Sequence, residues 1–257
     1  MNSLKSLHSV FTIVMCVFSV AGMRHAGAET LISSNVDSRV IVAMQFDDAA
    51  VQSMLPEGWT LSPFPGGALA GANTLLILAD RYLAMDANGD PAEPSSYRAF
   101  AMASPAKSAT TDEMRTFVTK VYTTADGNDP YRNASPANIS RRATVESSDS
   151  APPKLTEDWS LRAAGGEMSM SLSYTSGTFA WWARESRSFS NVDPALHHLN
   201  RFEQLSDLAM SVPLGKALKG DIEITSSIPE LATLFGGQQK TVGVIVIPMY
   251  ARDVFDP

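Results

Sequence analysis

The alternation of apolar and polar positions along the chain predicts many strands and few helices. Residues 38–46 (SRVIVAMQF) are dense in β-branched and apolar side chains and predict a strand. Residues 67–83 predict one long strand bulged at Gly71, and residues 97–103 its return partner across an Asn88-Gly89 turn. Residues 114–122 fit helix or strand, with strand favoured at their end. Three further strands are expected at 155–163, 167–174 and 178–184, joined through Gly165-Gly166 and Ser176-Gly177. In the second of these, Met168, Met170 and Leu172 share one face and serines the other, the pattern of a half-buried sheet. Strands at 205–212 and 221–227 follow, with Lys216 and Lys219 in the turn between them. The closing strand, 241–250, is apolar almost throughout and so buried on both faces.

Helical signals are short. Asp47 or Asp48 can cap residues 49–54, and Pro56 and Gly58 end that helix. Trp59, just past this corner, is expected to pack on the core. Residues 111–114 can start a short helix, and Pro229 opens another that stops at Gly236-Gly237. The balance predicts a mainly β (α+β) single domain, a closed or sandwich-like antiparallel β-barrel with a few short flanking helices. Residues 147–153 (SSDSAPP) are the best loop candidate.

The N-terminus changes the domain picture. Lys5, a short apolar block at 10–22 and Ala26-Gly27-Ala28 have the layout of a secretory signal peptide cleaved after Ala28. The block is shorter than the roughly 20 residues a spanning helix needs. The expectation is a signal peptide at 1–28, a β-barrel domain at 29–257, and a secreted or periplasmic protein with no stable membrane insertion after cleavage. The single cysteine, Cys16, lies in the leader, so the exported chain has no disulfide, thiolate nucleophile or Cys-ligated zinc. Cleavage removes Lys5 and Arg24 and no acid, so 20 basic residues fall to 18 against 27 acidic ones, net −9. That balance argues against nucleic acid and anionic membranes as partners.

Candidate chemistry begins with exclusions. The chain has no Gly-x-Ser-x-Gly elbow, phosphate loop, dinucleotide fingerprint or His-Glu-x-x-His motif. His197 and His198 are adjacent and so diverge on a strand, which makes them a poor metal pair. The Asp86-x-Asn88-x-Asp90 run resembles a calcium loop, but Pro91 and Tyr97 stand where its glycine and bidentate glutamate belong, so a turn is expected. No metal and no cofactor is implied. Of the carboxylates, Glu146 and Glu167 adjoin strand-like runs; facing a barrel interior, either would have a raised pKa and could move protons. Trp181 and Trp182 must split between faces, the inward ring joining the core.

Residues 120–146 read as a long polar loop between two strands, unusual in carrying Tyr122, Tyr131, Arg141 and Arg142. Binding groups concentrate in such segments.

Residues 40–61 (VIVAMQFDDAAVQSMLPEGWTL) resemble the entry into the acetoacetate decarboxylase-like β-barrel family: a strand, acidic residues, a short helix, then Leu-Pro-Glu-Gly. Element order extends the resemblance over most of residues 29–257. In that family a Tyr-ending strand and a polar loop lead to Pro-Lys-Lys, one lysine of which forms a Schiff base with a β-keto acid. Here Arg141-Arg142 follow Tyr122 in roughly that order, and guanidinium cannot form an imine. Arginine instead suits fixed, bidentate binding of a carboxylate. The resemblance thus implies an exported lyase or isomerase for a small keto, enol or aromatic acid, working without a Schiff base. Arg141 or Arg142 and Tyr131 would bind the acid or ketone, and Tyr122, Glu146 and Glu167 would orient it and move protons. The alternative is a non-catalytic binding barrel for a small apolar acid. A second copy of the chain is the macromolecular partner left open.

Overall fold

The computed structural model describes residues 29–177 and 179–257. The expected signal peptide lies outside the described residues. Among the described residues thirteen strands dominate: β1 (Thr30–Gln45), β2 (Trp59–Leu61), β3 (Thr74–Asp86), β4 (Tyr97–Ser108), β5 (Met114–Thr123), β6 (Ala134–Pro136) and β7 (Asn138–Ser148). They continue as β8 (Ala151–Ala163), β9 (Gly166–Thr175), β10 (Ala180–Ser190), β11 (His197–Ser211), β12 (Gly220–Ser226) and β13 (Lys240–Asp256). The helices are short, α1 (Asp48–Gln52) and α2 (Ala232–Phe235), each beside a tight turn or 3-10 segment.

The larger sheet runs β4-β3-β1-β13-β11-β10-β5, and β5 pairs back onto β4, closing a ring of seven strands. Its pairings are antiparallel except where β10 meets β5 through only two residue pairs, Phe189 with Phe117 and Ser190 with Val118. β6 takes the next place along β5, also parallel. Four strands, β12-β9-β8-β7, form a second antiparallel sheet. It covers one outer flank of the ring. The main core lies between the layers: Val40, Val42, Leu76, Leu78, Phe100 and Met102 from the ring meet Trp159, Leu161, Met168, Met170 and Leu172 from the sheet. Leu231 and Leu234, from the 3-10 turn and α2, close its edge. Apolar side chains at period two on both layers make this interface, because each strand presents alternate residues to it.

Several expectations hold locally. Asp47 caps α1 by accepting from the backbone N–H of Ala49 and Ala50, and Trp59 packs edge-on against Phe117, ring centroids 4.9 Å apart. Asp86 accepts from the backbone N–H of Asn88 and Asp90 in the expected turn, where Gly89 takes a φ of +87°. Others are corrected. The 67–83 run is not one strand: a 3-10 turn at Gly67–Leu69 precedes β3. Residues 111–114 start no helix; β5 begins at Met114. Residues 147–153 are not a loop but the tip of the β7–β8 hairpin, whose pairing runs out to Ser148 with Ala151. Trp181 and Trp182 are both exposed, 55% and 37%, so neither ring joins the core.

Candidate functional site: a positively charged cluster in the ring

The opposite face of the ring strands is polar toward one end. Asn35, Asp37 and Arg39 lie at period two on β1, where pairing with β13 and β3 slips by a residue around Asp37. Asp37 is completely buried and accepts from Arg39 Nε at 2.6 Å and Arg39 Nη2 at 2.8 Å. Arg81 on β3 reaches the same carboxylate at 3.4 Å and also donates to the Tyr97 hydroxyl. Its Nε is buried without a partner among the described residues. From β13, Arg252 donates through Nε and Nη2 to Asn35 Oδ1 (2.9 and 2.7 Å) and through Nη1 to Asn200 Oδ1 (3.2 Å). Asn35 in turn donates to Asp37 at 2.8 Å. Tyr250 lies under Arg39, 3.5 Å from guanidinium carbon to ring centre, and stacks on Phe202.

Two guanidiniums therefore bind one carboxylate, and the charge of a third, Arg252, bears on it without contact. Burial works to raise the Asp37 pKa, but Arg39, Arg81 and Arg252 outweigh it and hold the carboxyl below its usual range. Burial works against the Arg39 charge, but Asp37 together with Tyr250 and Tyr131 outweighs it, so its pKa is raised. Arg252 goes the other way, lowered by burial and by the charges of Arg81 and Arg39. Among the described residues it meets amide oxygens and no acid. A protonated arginine in this position is short of negative charge.

The segment between β5 and β6 completes the site. It fills the gap that β10 leaves beside β5. Asn133 donates to the Val118 carbonyl and to Asn191, both at 2.7 Å, Arg132 pairs with Asp193 at 2.7 Å, and Asn128 donates to Tyr97. These ties carry Tyr131 inward, where it packs edge-on against His198, centroids 5.4 Å apart. Burial pushes the Tyr131 pKa up, with Arg252 opposing. The His198 ring has Nδ1 facing Asp256 Oδ1 at 3.2 Å and Nε2 facing the Pro130 carbonyl at 3.0 Å. Alongside runs an open groove of about 570 Å³, lined among others by Arg184, Arg201, Phe202, Glu203 and Arg252. Its size falls in the range of small-molecule sites. Arg252 belongs to both the groove and the cluster.

Of the site residues expected from the sequence, Tyr131 lies in this cluster and the others do not join it; His198, read there only as half of a poor metal pair, packs against Tyr131. Arg141 is on β7, between the layers, paired with Glu157 (2.7 and 3.0 Å) and Asp80 (3.2 Å). Arg142 and Glu146 are exposed on the same strand. Glu167, at the start of β9, accepts from Ser160 and Arg162, which lower its pKa rather than raise it. Tyr122 is buried between the layers, where its hydroxyl donates to Glu230; burial first, then that carboxylate, raises its pKa. Arg141 and Arg142 stand where the resemblance puts the lysine pair, and the segment expected as a loop at 120–146 holds the end of β5, β6 and most of β7 around a loop at 124–133. Lys120 is engaged elsewhere, with Glu230 at 3.0 Å and Ser135 at 2.8 Å.

Sequence reasoning missed Asn35, Asp37, Arg39, Arg81 and Arg252. The signal was present at 35–39 (NVDSR), where polar residues alternate on a strand taken to begin only at Ser38.

A closed β ring flanked by a second sheet defines the class, the acetoacetate decarboxylase-like fold. The chain superposes on an acetoacetate decarboxylase-like enzyme from Sphingomonas wittichii RW1 with a TM-score of 0.55, 11% identity, and coverage of 87% of this chain and 90% of that one. It superposes on the enduracididine biosynthesis enzyme MppR, with HEPES bound, at a TM-score of 0.54 and 14% identity, covering 89% and 86%. The same enzyme complexed with the condensation product of pyruvate and imidazole 4-carboxaldehyde gives 0.51 at 14% identity, covering 88% and 87%. No protein-family model and no curated protein matches the chain.

Proposed function

We propose that this protein, exported after cleavage at Ala28, binds a small organic acid at the charged end of its ring. Arg252 makes the principal contact, with Arg39 and Arg81 behind it. The supporting observation is the charge imbalance, three arginines around one fully buried aspartate, with Arg252 held by amide oxygens alone. A carboxylate or enolate would supply what that guanidinium lacks, through charge-assisted hydrogen bonds. The apolar part of the ligand would lie against Phe202 in the adjoining groove.

A second reading, a lyase or isomerase acting on a keto or enol acid, draws on the same arrangement. Fixed positive charge favours a transition state in which negative charge develops on an enolate oxygen. Asp37 is held ionised, and burial keeps the Tyr131 hydroxyl protonated. Covalent imine chemistry has no lysine at this cluster among the described residues.

Calorimetric titration of residues 29–257 with pyruvate, acetoacetate and benzoate tests the proposal. Binding that weakens with added salt and by about 10–100-fold in Arg252→Met is expected. Binding that Arg252→Met leaves intact, or none to any of the three acids, would remove it. Proton NMR in deuterium oxide tests the second reading: a catalyst exchanges the α-hydrogens of the bound keto acid, a carrier does not.

A further inference from the structure

Strand β10 has an open edge. Against β5 it pairs only at Phe189 and Ser190, so along residues 180–188 the backbone on that side meets no strand among the described residues. Open edges of this length are commonly protected by charged side chains, lysine above all, by proline or by a bulge; the charges on this one are of mixed sign, Arg184, Glu185 and Arg187. Residues 180–188 (AWWARESRS) contain no lysine or proline, and their pairing with β11 runs without a register shift. Two tryptophans are exposed on it, one on each face. The edge offers backbone N–H and C=O groups that pair with no strand among the described residues, flanked by large apolar surface; the Ala183 carbonyl accepts from Arg184 Nη1 at 2.9 Å and the Ala180 carbonyl from Ser206 Oγ at 3.4 Å.

Its sequence fits a second copy of itself. Two copies joining edge to edge about a two-fold axis normal to the sheet run antiparallel, and each residue faces one on the same side of the sheet. The axis must then pass through a residue position. Centred on Arg184 it sets arginine against arginine, and centred on Glu185 glutamate against glutamate; like charges directly opposite are destabilising. Centred on Trp182 or Ser186 it leaves only five residues of each strand paired within the open stretch. Centred on Ala183 it pairs residues 180–186 of both copies. No like charges then meet, and each Trp182 ring faces the second copy's Arg184. An arginine over a tryptophan face is a favourable contact, and Arg184 already sits 5.0 Å from the Trp182 ring within one chain.

We propose that the protein forms a two-fold dimer by pairing of the β10 edges, with Ala183 on the axis. The two rings would join into one continuous sheet through the interface, and both tryptophans would be covered.

Ala183 is exposed and meets only its own counterpart in this register, which supplies a test with internal controls. Light scattering on the purified protein should give twice the mass of one chain. Ala183→Lys and Ala183→Glu should each give the single-chain mass, since each places like charges on the axis, while unchanged circular dichroism shows that both are folded. Mixing the two variants should restore the doubled mass. A wild-type protein of single-chain mass throughout the micromolar range would overturn the proposal. So would dimers that persist in both variants, because the interface would then lie elsewhere. Failure of the mixture to re-form dimers would refute the Ala183 register.

Discussion

Two clusters of arginine and carboxylate stand on opposite faces of the same ring wall, and they differ in charge balance. Between the layers, Arg141 and Arg98 face Glu157 and Asp80, two cations against two anions. Glu157 is nearly fully buried and accepts from both Arg141 and the Trp159 indole N–H (2.9 Å), so its oxygens are satisfied. Inside the ring, three arginines face one aspartate; each cluster has one buried guanidinium nitrogen without a hydrogen-bond partner among the described residues, Arg98 Nε in the first and Arg81 Nε in the second, so the difference lies in the number of acids. The first cluster ties β7 and β8 to β3 and β4 and leaves nothing for a ligand to do. The second is incomplete by itself. Buried ion pairs are often stability-neutral when whole and costly when one member is lost, so completeness separates a structural clamp from a binding site.

The largest expected effect comes from breaking the balanced cluster. Arg141→Met leaves Glu157 as an unpaired buried charge and should cost about 3–5 kcal/mol of folding stability, read from urea denaturation. Ligand affinity per folded molecule should not change. A variant as stable as wild type would show that the clamp is dispensable.

Removing a cation from the unbalanced cluster should do the reverse. Arg252→Met is expected to keep or raise the denaturation midpoint, because it relieves repulsion with Arg81 and Arg39. Affinity for a small carboxylate should fall about 10–100-fold, the worth of a charge-assisted hydrogen bond of roughly 1.5–3 kcal/mol. A large loss of stability in this variant would make Arg252 structural and erase the contrast.

Acid sharpens the comparison further. An unfolded aspartate titrates near about 3.9, and Asp37 is held lower in the fold. Its contribution to stability is therefore complete above that value and is lost as the pH falls through the lower, folded pKa. Asp37→Asn should be less stable than wild type at neutral pH and lose less on acidification below pH 4. Denaturation midpoints between pH 2 and 7 decide this; parallel curves would mean that Asp37 is not held ionised by the arginines. The smallest effect is expected at Arg142 and Glu146, exposed on β7. Alanine at either should change neither stability nor affinity measurably, although both read as site residues in the sequence.

That last pair shows where sequence reading stopped. Strand β9 was legible because Met168, Met170 and Leu172 alternate with serines, and a sheet with one buried face imposes that period directly. The cap at Asp47 and the turn at Asn88-Gly89 were legible for the same local reason. Arg141 and Arg142 attracted attention as neighbours, but strand geometry sends neighbours to opposite faces: Arg141 to the core edge, Arg142 to solvent. The loop expected at 147–153 proved to be a hairpin tip, because pairing between β7 and β8 overrode the turn-forming composition there.

The sequence by itself determined the strand-rich class, the positions of most strands, the short capped helix and the lack of a lysine pair. Each is written in residues close together along the chain. Only the tertiary structure decided which residues form the site. Arg252 and Asn35 are 217 positions apart and meet because β1 and β13 pair at one register. Arg81 and Tyr131 join them because ring closure and the loop between β5 and β6 bring them to the same end. A charge excess of this kind has no local period, since it exists only once strands from distant parts of the chain share a wall.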